Sequence, residues 1–131
     1  MGSSPVFVES PNLGVATIEN ADGTNVADVF TAGASGSRIE NIFAIHDDVT
    51  AAVMVLLWMN DGVNTHLLGS IPMVVATAGT PRIEGDYLQS VAWLGSDASI
   101  VLPAGHKIQA SLQSAITASS SCSVYAIGGD F

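Results

Sequence analysis

Positive charge is the scarcest property of this chain. Only Arg38, Arg82 and Lys107 stand against twelve Asp and Glu residues, for a formal net charge of −9 over 131 residues. Nucleic-acid binding neutralises phosphates with Lys and Arg, so that class is excluded. Anionic membrane surfaces are disfavoured for the same reason. Charge of either sign is low: charged residues make up 11% of the chain, against about a quarter in ordinary domains. Cysteine is almost absent. The single Cys122 has no internal partner, and neither a cation nor a helix N-terminus is evident beside it, so it reads as a small apolar filler on a strand. The longest apolar run, Ala51 to Met59, is well short of the about 20 residues a membrane-spanning helix needs. Met1-Gly2-Ser3-Ser4 lacks the basic start and apolar stretch of a secretion signal. No segment carries a convincing helical period.

What is present is 48% hydrophobic residues diluted by Gly, Ala, Ser and Thr. A chain of this length forms one domain and buries a core without metal or disulfide staples. Its poorly charged surface suits a protein packed against others, and equally a small-residue-rich β domain that is merely soluble.

The stretch Ala51 to Gly62, AAVMVLLWMNDG, organises the rest. Its apolar run stops at Asn60-Asp61-Gly62, and Asp-Gly is a hairpin signal because Gly accepts the positive φ such turns require. Residues 52–60 and 64–71 are therefore expected as a central hairpin, buried on both faces. Before it, Arg38 to Ile45 reads as a strand with Ile39, Phe43 and Ile45 on one face and Ile42 and Ala44 on the other. After it, Ile108, Ala110 and Leu112 alternate with Lys107, Gln109, Ser111 and Gln113 as a half-buried strand. Val124, Ala126 and Gly128 alternate against Tyr125 and Ile127 in a last one. Residues 82–94 fit either a short helix or a strand, with strand favoured. Short strands at about 8–12-residue spacing indicate a sandwich or barrel. The expected fold is all-β: a single-domain antiparallel β-sandwich, jelly-roll-like, with an extended N-terminal segment. Residues 1–35, with the short pieces Pro5 to Val8 and Val15 to Ile18, read as an extended arm or as edge strands. Residues 36–131 form the sandwich body.

Candidate chemistry is thin. His46-Asp47-Asp48, His66 and His106 lie in separate segments with no metal-ligand spacing, and Asp47 and Asp48 suit turn capping better. Glu84 and Asp86 are a pair of acids on a polar stretch, where solvated surface charge explains them. Ser119 to Ser123 has hydroxyls without a base. Gly128-Gly129 precedes no helix and cradles no phosphate. Trp58, Trp93 and Tyr125 would suit a sugar-stacking platform, although core packing accounts for Trp58 more simply. No catalytic, cofactor or metal residue is assigned; no cofactor is expected and the chain is not read as an enzyme.

Four pieces in order carry a family likeness: Gly36-Ser37-Arg38-Ile39, Trp58-Met59-Asn60-Asp61-Gly62, Ile100-Val101-Leu102-Pro103-Ala104-Gly105 and Val124 to Phe131. Over about 37–131 the chain resembles the β-sandwich decoration, or cement, proteins of tailed-bacteriophage heads. The resemblance implies a structural virion protein made in the host cytoplasm and seated on the outer capsid surface. There it would bind the major capsid protein as a homotrimer and stabilise contacts between capsomers. The alternatives are a tail- or fibre-associated phage structural protein, or a carbohydrate-binding β-sandwich, for which Trp93 or Tyr87 on an exposed loop would be the sign. Residues 1–35 match the family less well, and strand addition by Val6 to Val8 and Val15 to Ile18 to a neighbour's sheet is the expected mode of attachment.

Overall fold

A computed structural model describes residues 9–77, 83–86 and 99–131. The described residues form nine strands: β1 Ser10–Glu19, β2 Ala27–Thr31, β3 Ser37–His46, β4 Val53–Asn60, β5 Thr65–Met73, β6 Ile83–Asp86, β7 Ile100–Leu102, β8 Lys107–Leu112 and β9 Ser121–Asp130. The helical content among them is a single 3-10 turn, Asn20–Asp22.

The first four strands alternate between two sheets, and the pairings among the described strands are antiparallel. One sheet has the order β1-β9-β3-β6, with β7 joining the other end of β3; the second has the order β2-β8-β4-β5. This wrapping is a jelly roll, in which two interleaved Greek keys form a double sheet. Residues 20–26, 47–52 and 113–120 gather at one end of the sandwich, while the hairpin turn at 61–64 and the β2–β3 turn lie at the other. The inner faces meet in one core that includes Ile18, Phe30, Ile39, Ile42, Val55, Leu57, Ile108, Leu112 and Val124.

Three expectations need correction. The β4–β5 hairpin is not buried on both faces. Val53, Val55 and Leu57 point into the core, but Met54, Leu56 and Trp58 are only half-buried, and β5 is a largely exposed edge strand. A sandwich leaves its outer faces to solvent, so the apolar run reflects an apolar outer face as well as a core. In β3 the faces are also regrouped. The register with β9 shifts between Ile39 and Asn41, so Ile39, Ile42, Ala44 and His46 turn inward while Phe43 and Ile45 turn outward. One extra residue in a bulge reverses the alternation beyond it. Gly128 faces this bulge, where a Cβ would overlap the Arg38 carbonyl oxygen. Third, Val15 to Ile18 is part of the body's own sheet, with one strand edge already taken. It pairs with β9 along the whole of β1, and Ala16 and Ile18 are buried. Residues 10–31 thus supply an edge strand to each sheet.

Candidate functional site

At the end of the sandwich where β3 meets β4, one carboxylate binds several loops. Asp48 accepts backbone N–H bonds from Thr50 at 2.8 Å, Ala51 at 3.0 Å and Thr117 at 3.0 Å, and its own carbonyl accepts the Ala76 N–H at 2.8 Å. Burial pushes its carboxyl pKa up, but the bonds from the Thr117 side chain and from the Thr50, Thr117 and Ala51 amides outweigh this and hold it at about 2. His46, also buried, accepts the Asp48 N–H through Nδ1 at 3.1 Å. Its Nε2 lies 2.9 Å from the Val74 carbonyl, which only accepts, so the neutral ring carries its proton there. Asp47 closes the same end, accepting the Ser121 N–H at 2.9 Å. Both ring nitrogens of His46 and both carboxylate oxygens of Asp48 are thereby engaged in holding loops together.

Beside this knot lies an apolar cleft of about 650 Å³, between Ala51–Met54, Pro72–Val74 and Gln113–Ile116. Its polar lining residues are Asp48, Gln113 and Ser114. The other histidines lie elsewhere: His66 Nε2 is 3.0 Å from Asp61 in the exposed hairpin, and His106 Nδ1 is 3.4 Å from the Ala104 carbonyl. Backbone amides of Asn64 and Val63, then His66, hold the Asp61 carboxyl well below its usual range. Among the described residues no group of three or more His, Cys, Asp or Glu is placed to hold a metal. Cys122 is fully buried, and burial, then the nearby Asp47 charge, pushes its thiol up to about 12. A thiol held protonated is a poor nucleophile. Ser119 to Ser123 lie in a loop and the start of β9; Ser121 and Ser123 line a small hollow with Ile45, Asp47 and Tyr125, and Ser119 to Ser121 line a second with Glu19, Asn20, Ala21 and Ala118. Glu84 and Asp86 lie on β6, in register with Ile45 and Phe43.

The aromatic candidates do not form one platform. Trp58 lies on the outer face of the β2-β8-β4-β5 sheet and donates its indole N–H to Ser111 at 2.9 Å. Tyr125 lies on the outer face of the opposite sheet, stacked on Phe43 with ring centroids 4.9 Å apart. Tyr87 and Trp93 fall outside the described residues.

What sequence reasoning missed is the surface itself. The outer face of β1, β9 and β3 exposes Leu13 at 63%, Val15 at 50% and Ile127 at 43%, next to the Phe43–Tyr125 stack. The opposite outer face sets Met54, Leu56, Trp58 and exposed Leu67 beside Gln109 and the ion pair of Lys107 with Asp28, 3.2 Å apart. The alternation in β1 and β9 carried the signal for the first face: apolar side chains occupy both parities.

No protein-family model matches the chain, and no curated protein matches its sequence. In structure it is similar to a chain in the acid-stable capsid of Helicobacter pylori bacteriophage KHP30. The TM-score is 0.59 at 10% identity, covering 94% of this chain and 90% of that one. That likeness is one of fold: the chain shares its jelly roll, end to end, with a chain of a phage capsid. A pentameric capsid protein from metagenomic phage sequences (TM-score 0.44, 17% identity, 91% of this chain and 61% of that chain) is more loosely similar. So is a chain of the cyanophage Pam1 capsid (TM-score 0.40, 13% identity, 100% and 94%).

Proposed function

We propose that this chain is a structural protein of a bacteriophage virion, a decoration or cement protein on the outer surface of the head. In this reading its partners are the major capsid protein and further copies of itself, as a homotrimer, and it stabilises contacts between capsomers without enzymatic activity. The observation that carries the reading is the jelly roll matched over nearly the full length of both chains to a chain of a phage capsid. Because the match covers most of each, that capsid chain is itself about one domain long. Composition supports an exterior position: with a net charge of −9 the chain has nothing to offer a packaged genome. The residues that looked most chemical, His46, Asp47 and Asp48, are spent on holding loops together, as befits a scaffold.

The test is to mix purified protein with heads that lack it and image them. The expected result is added density on the outer surface and heads that withstand more heat. Absence of binding, or density confined to the tail, overturns the reading. Deleting residues 1–8, which precede the first ladder pair Ser10–Asp130, distinguishes the modes of attachment. Weakened binding by a folded protein assigns attachment to the leading segment, and undiminished binding assigns it to the body.

A further inference from the structure

We infer that the leading segment Pro5-Val6-Phe7-Val8 of one copy lies in the apolar cleft of a second copy. The cleft, about 650 Å³, opens between the start of β4, the end of β5 and the chain after β8. Ala52 and Val74 on its walls are exposed, while Val53, Met73 and Ile116, which also line it, are core residues. An exposed apolar concavity of this kind marks an interaction site.

Reach decides whose segment fills it. The chain enters β1 at Ser10, which pairs with Asp130, and Asp130 pairs with Ser37 at the start of β3. The cleft lies past the other end of β3, where the Val74 carbonyl accepts from His46. The 10 residues of β3 separate the two ends, roughly 30 Å at about 3.3 Å per residue. Val6 stands four residues before Ser10, so even a fully extended chain carries it no more than about 14 Å away. The segment therefore falls short of its own cleft and reaches one only on a neighbour.

Chemistry suits the pair. The cleft's end of the sandwich holds Asp47 and Asp48, and like charges juxtaposed across an interface cost several kcal/mol. Residues 1–8 bring no charged side chain to it. In an extended segment Phe7 stands on the opposite side from Val6 and Val8, so it enters as a single aromatic anchor. Every copy carries the segment at one end and the cleft at the other, so the occupant is present wherever the cleft is. End-to-end contact of this kind is heterologous and closes into a ring where the rotation allows. Only a ring of three rests on the function proposed above; the contact itself needs no phage head.

Cysteine pairs test it in the full-length chain. Phe7→Cys protein is mixed with Ala52→Cys protein, and separately with Val63→Cys protein, under a mild thiol oxidant and with a mass tag on one partner. Val63 is exposed at the opposite end of the sandwich, and the native Cys122 is buried. The mixed disulfide is expected to be at least tenfold more abundant with Ala52→Cys than with Val63→Cys. In sedimentation over a concentration series the wild type is expected to associate. Phe7→Asp and Ala52→Glu should associate at least tenfold more weakly, with melting temperatures showing that both fold. Equal cross-linking at the two positions, or none, overturns the inference. So does a Phe7→Cys, Ala52→Cys double variant that closes its disulfide within a monomer, or a wild type that stays monomeric up to its solubility limit. Loss of head binding in Phe7→Asp without any cross-link to Ala52 assigns the segment to the capsid protein and likewise overturns it. Failure to bind heads with the cross-link intact refutes the proposed function and leaves this inference standing.

Discussion

The two flanks of the sandwich are both closed on a glycine, but against different materials. On the first flank β1 crosses β2 so closely that a Cβ on Gly14 would overlap the Val29 carbonyl oxygen and come within 2.8 Å of the Phe30 Cα. On the second flank Gly85 of β6 faces side chains of β5: a Cβ there would overlap the Ile71 Cγ2 and lie 2.8 Å from the Met73 Cγ. The first seal is backbone on backbone, and the second is backbone on side chain. Each flank also has a carboxylate clamp. Asp130 accepts from Ser37 Oγ at 2.5 Å and Asn12 Nδ2 at 2.8 Å, and these two bonds, that of Ser37 the larger, hold its carboxyl below the usual range. They tie β1 to β9 and the start of β3. Asp48 and His46 tie β3 and the β3–β4 loop to Val74 and Ala76, just beyond β5. The first flank is thus rigid by construction, and the second has room to adjust.

The harshest way to break the comparison is to delete residues 1–20. This removes β1 with its whole ladder to β9 and takes Ala16 and Ile18 out of the core. A fully buried side chain of Ile size contributes about 1.5–3 kcal/mol, and β9 becomes an unpaired edge open to aggregation. Because whole domains are stable by only about 5–15 kcal/mol, the truncated chain is expected to be unfolded or aggregated in circular dichroism and light scattering. A cooperative melt near that of the full chain would show that the first flank is dispensable.

Gly14→Ala tests the rigid seal without removing it. Neither strand can yield without moving its backbone, so the expected cost is about 3 kcal/mol, or a melting temperature lower by roughly 10 °C. Trimming the neighbour with Val29→Ala should not relieve it, because the obstructing atom is a main-chain oxygen.

Acid probes the clamp of the second flank. The Asp48 pKa is depressed from 3.8 to about 2. A group with a depressed folded pKa contributes stability that is complete above the unfolded value and is lost as pH falls through the folded one. Asp48 therefore contributes about 2 kcal/mol at neutral pH, lost between about pH 4 and pH 2. Asp48→Asn should lower stability at pH 7 by a similar amount and flatten the decline over that window, as measured by urea unfolding at stepped pH. A variant whose acid profile parallels the wild type would show that the carboxylate is not what holds these loops.

The contrast between the flanks also explains what was legible in the sequence. The alternation of Ile108, Ala110 and Leu112, and of Val124 and Ala126, gave those strands their inward faces directly, because each runs without interruption. In β3 the same reasoning failed at Glu40, where a bulge adds one residue and no local signal announces it; Gly128, which permits it, lies on another strand. The first flank was hidden for a related reason. Val15 to Ile18 is readable as a strand, but its partner Cys122 to Tyr125 is distant in the chain, and nothing local specifies that pairing. Asp48 was readable as a turn acid. That it also reaches the Thr117 amide was not, since loops meet only once the sandwich has formed.

The smallest expected effect lies at Gly85. The position has no positive φ, so Ala is conformationally allowed and restricts the unfolded chain, a gain of about 0.4–1 kcal/mol. Against this stands the crowding of Ile71 and Met73, both nearly fully buried. Ile is stiff at χ1, whereas Met has rotatable bonds to spare and adapts to irregular space. The two effects nearly offset, and Gly85→Ala should shift stability by no more than about 1 kcal/mol. A double-mutant cycle isolates the cause. In a Met73→Ala background, with the thioether gone, Gly85→Ala should become neutral or stabilising, giving a coupling of about 1 kcal/mol. Zero coupling with a large loss in both backgrounds would mean that Ile71 cannot move, and that the second flank is as rigid as the first.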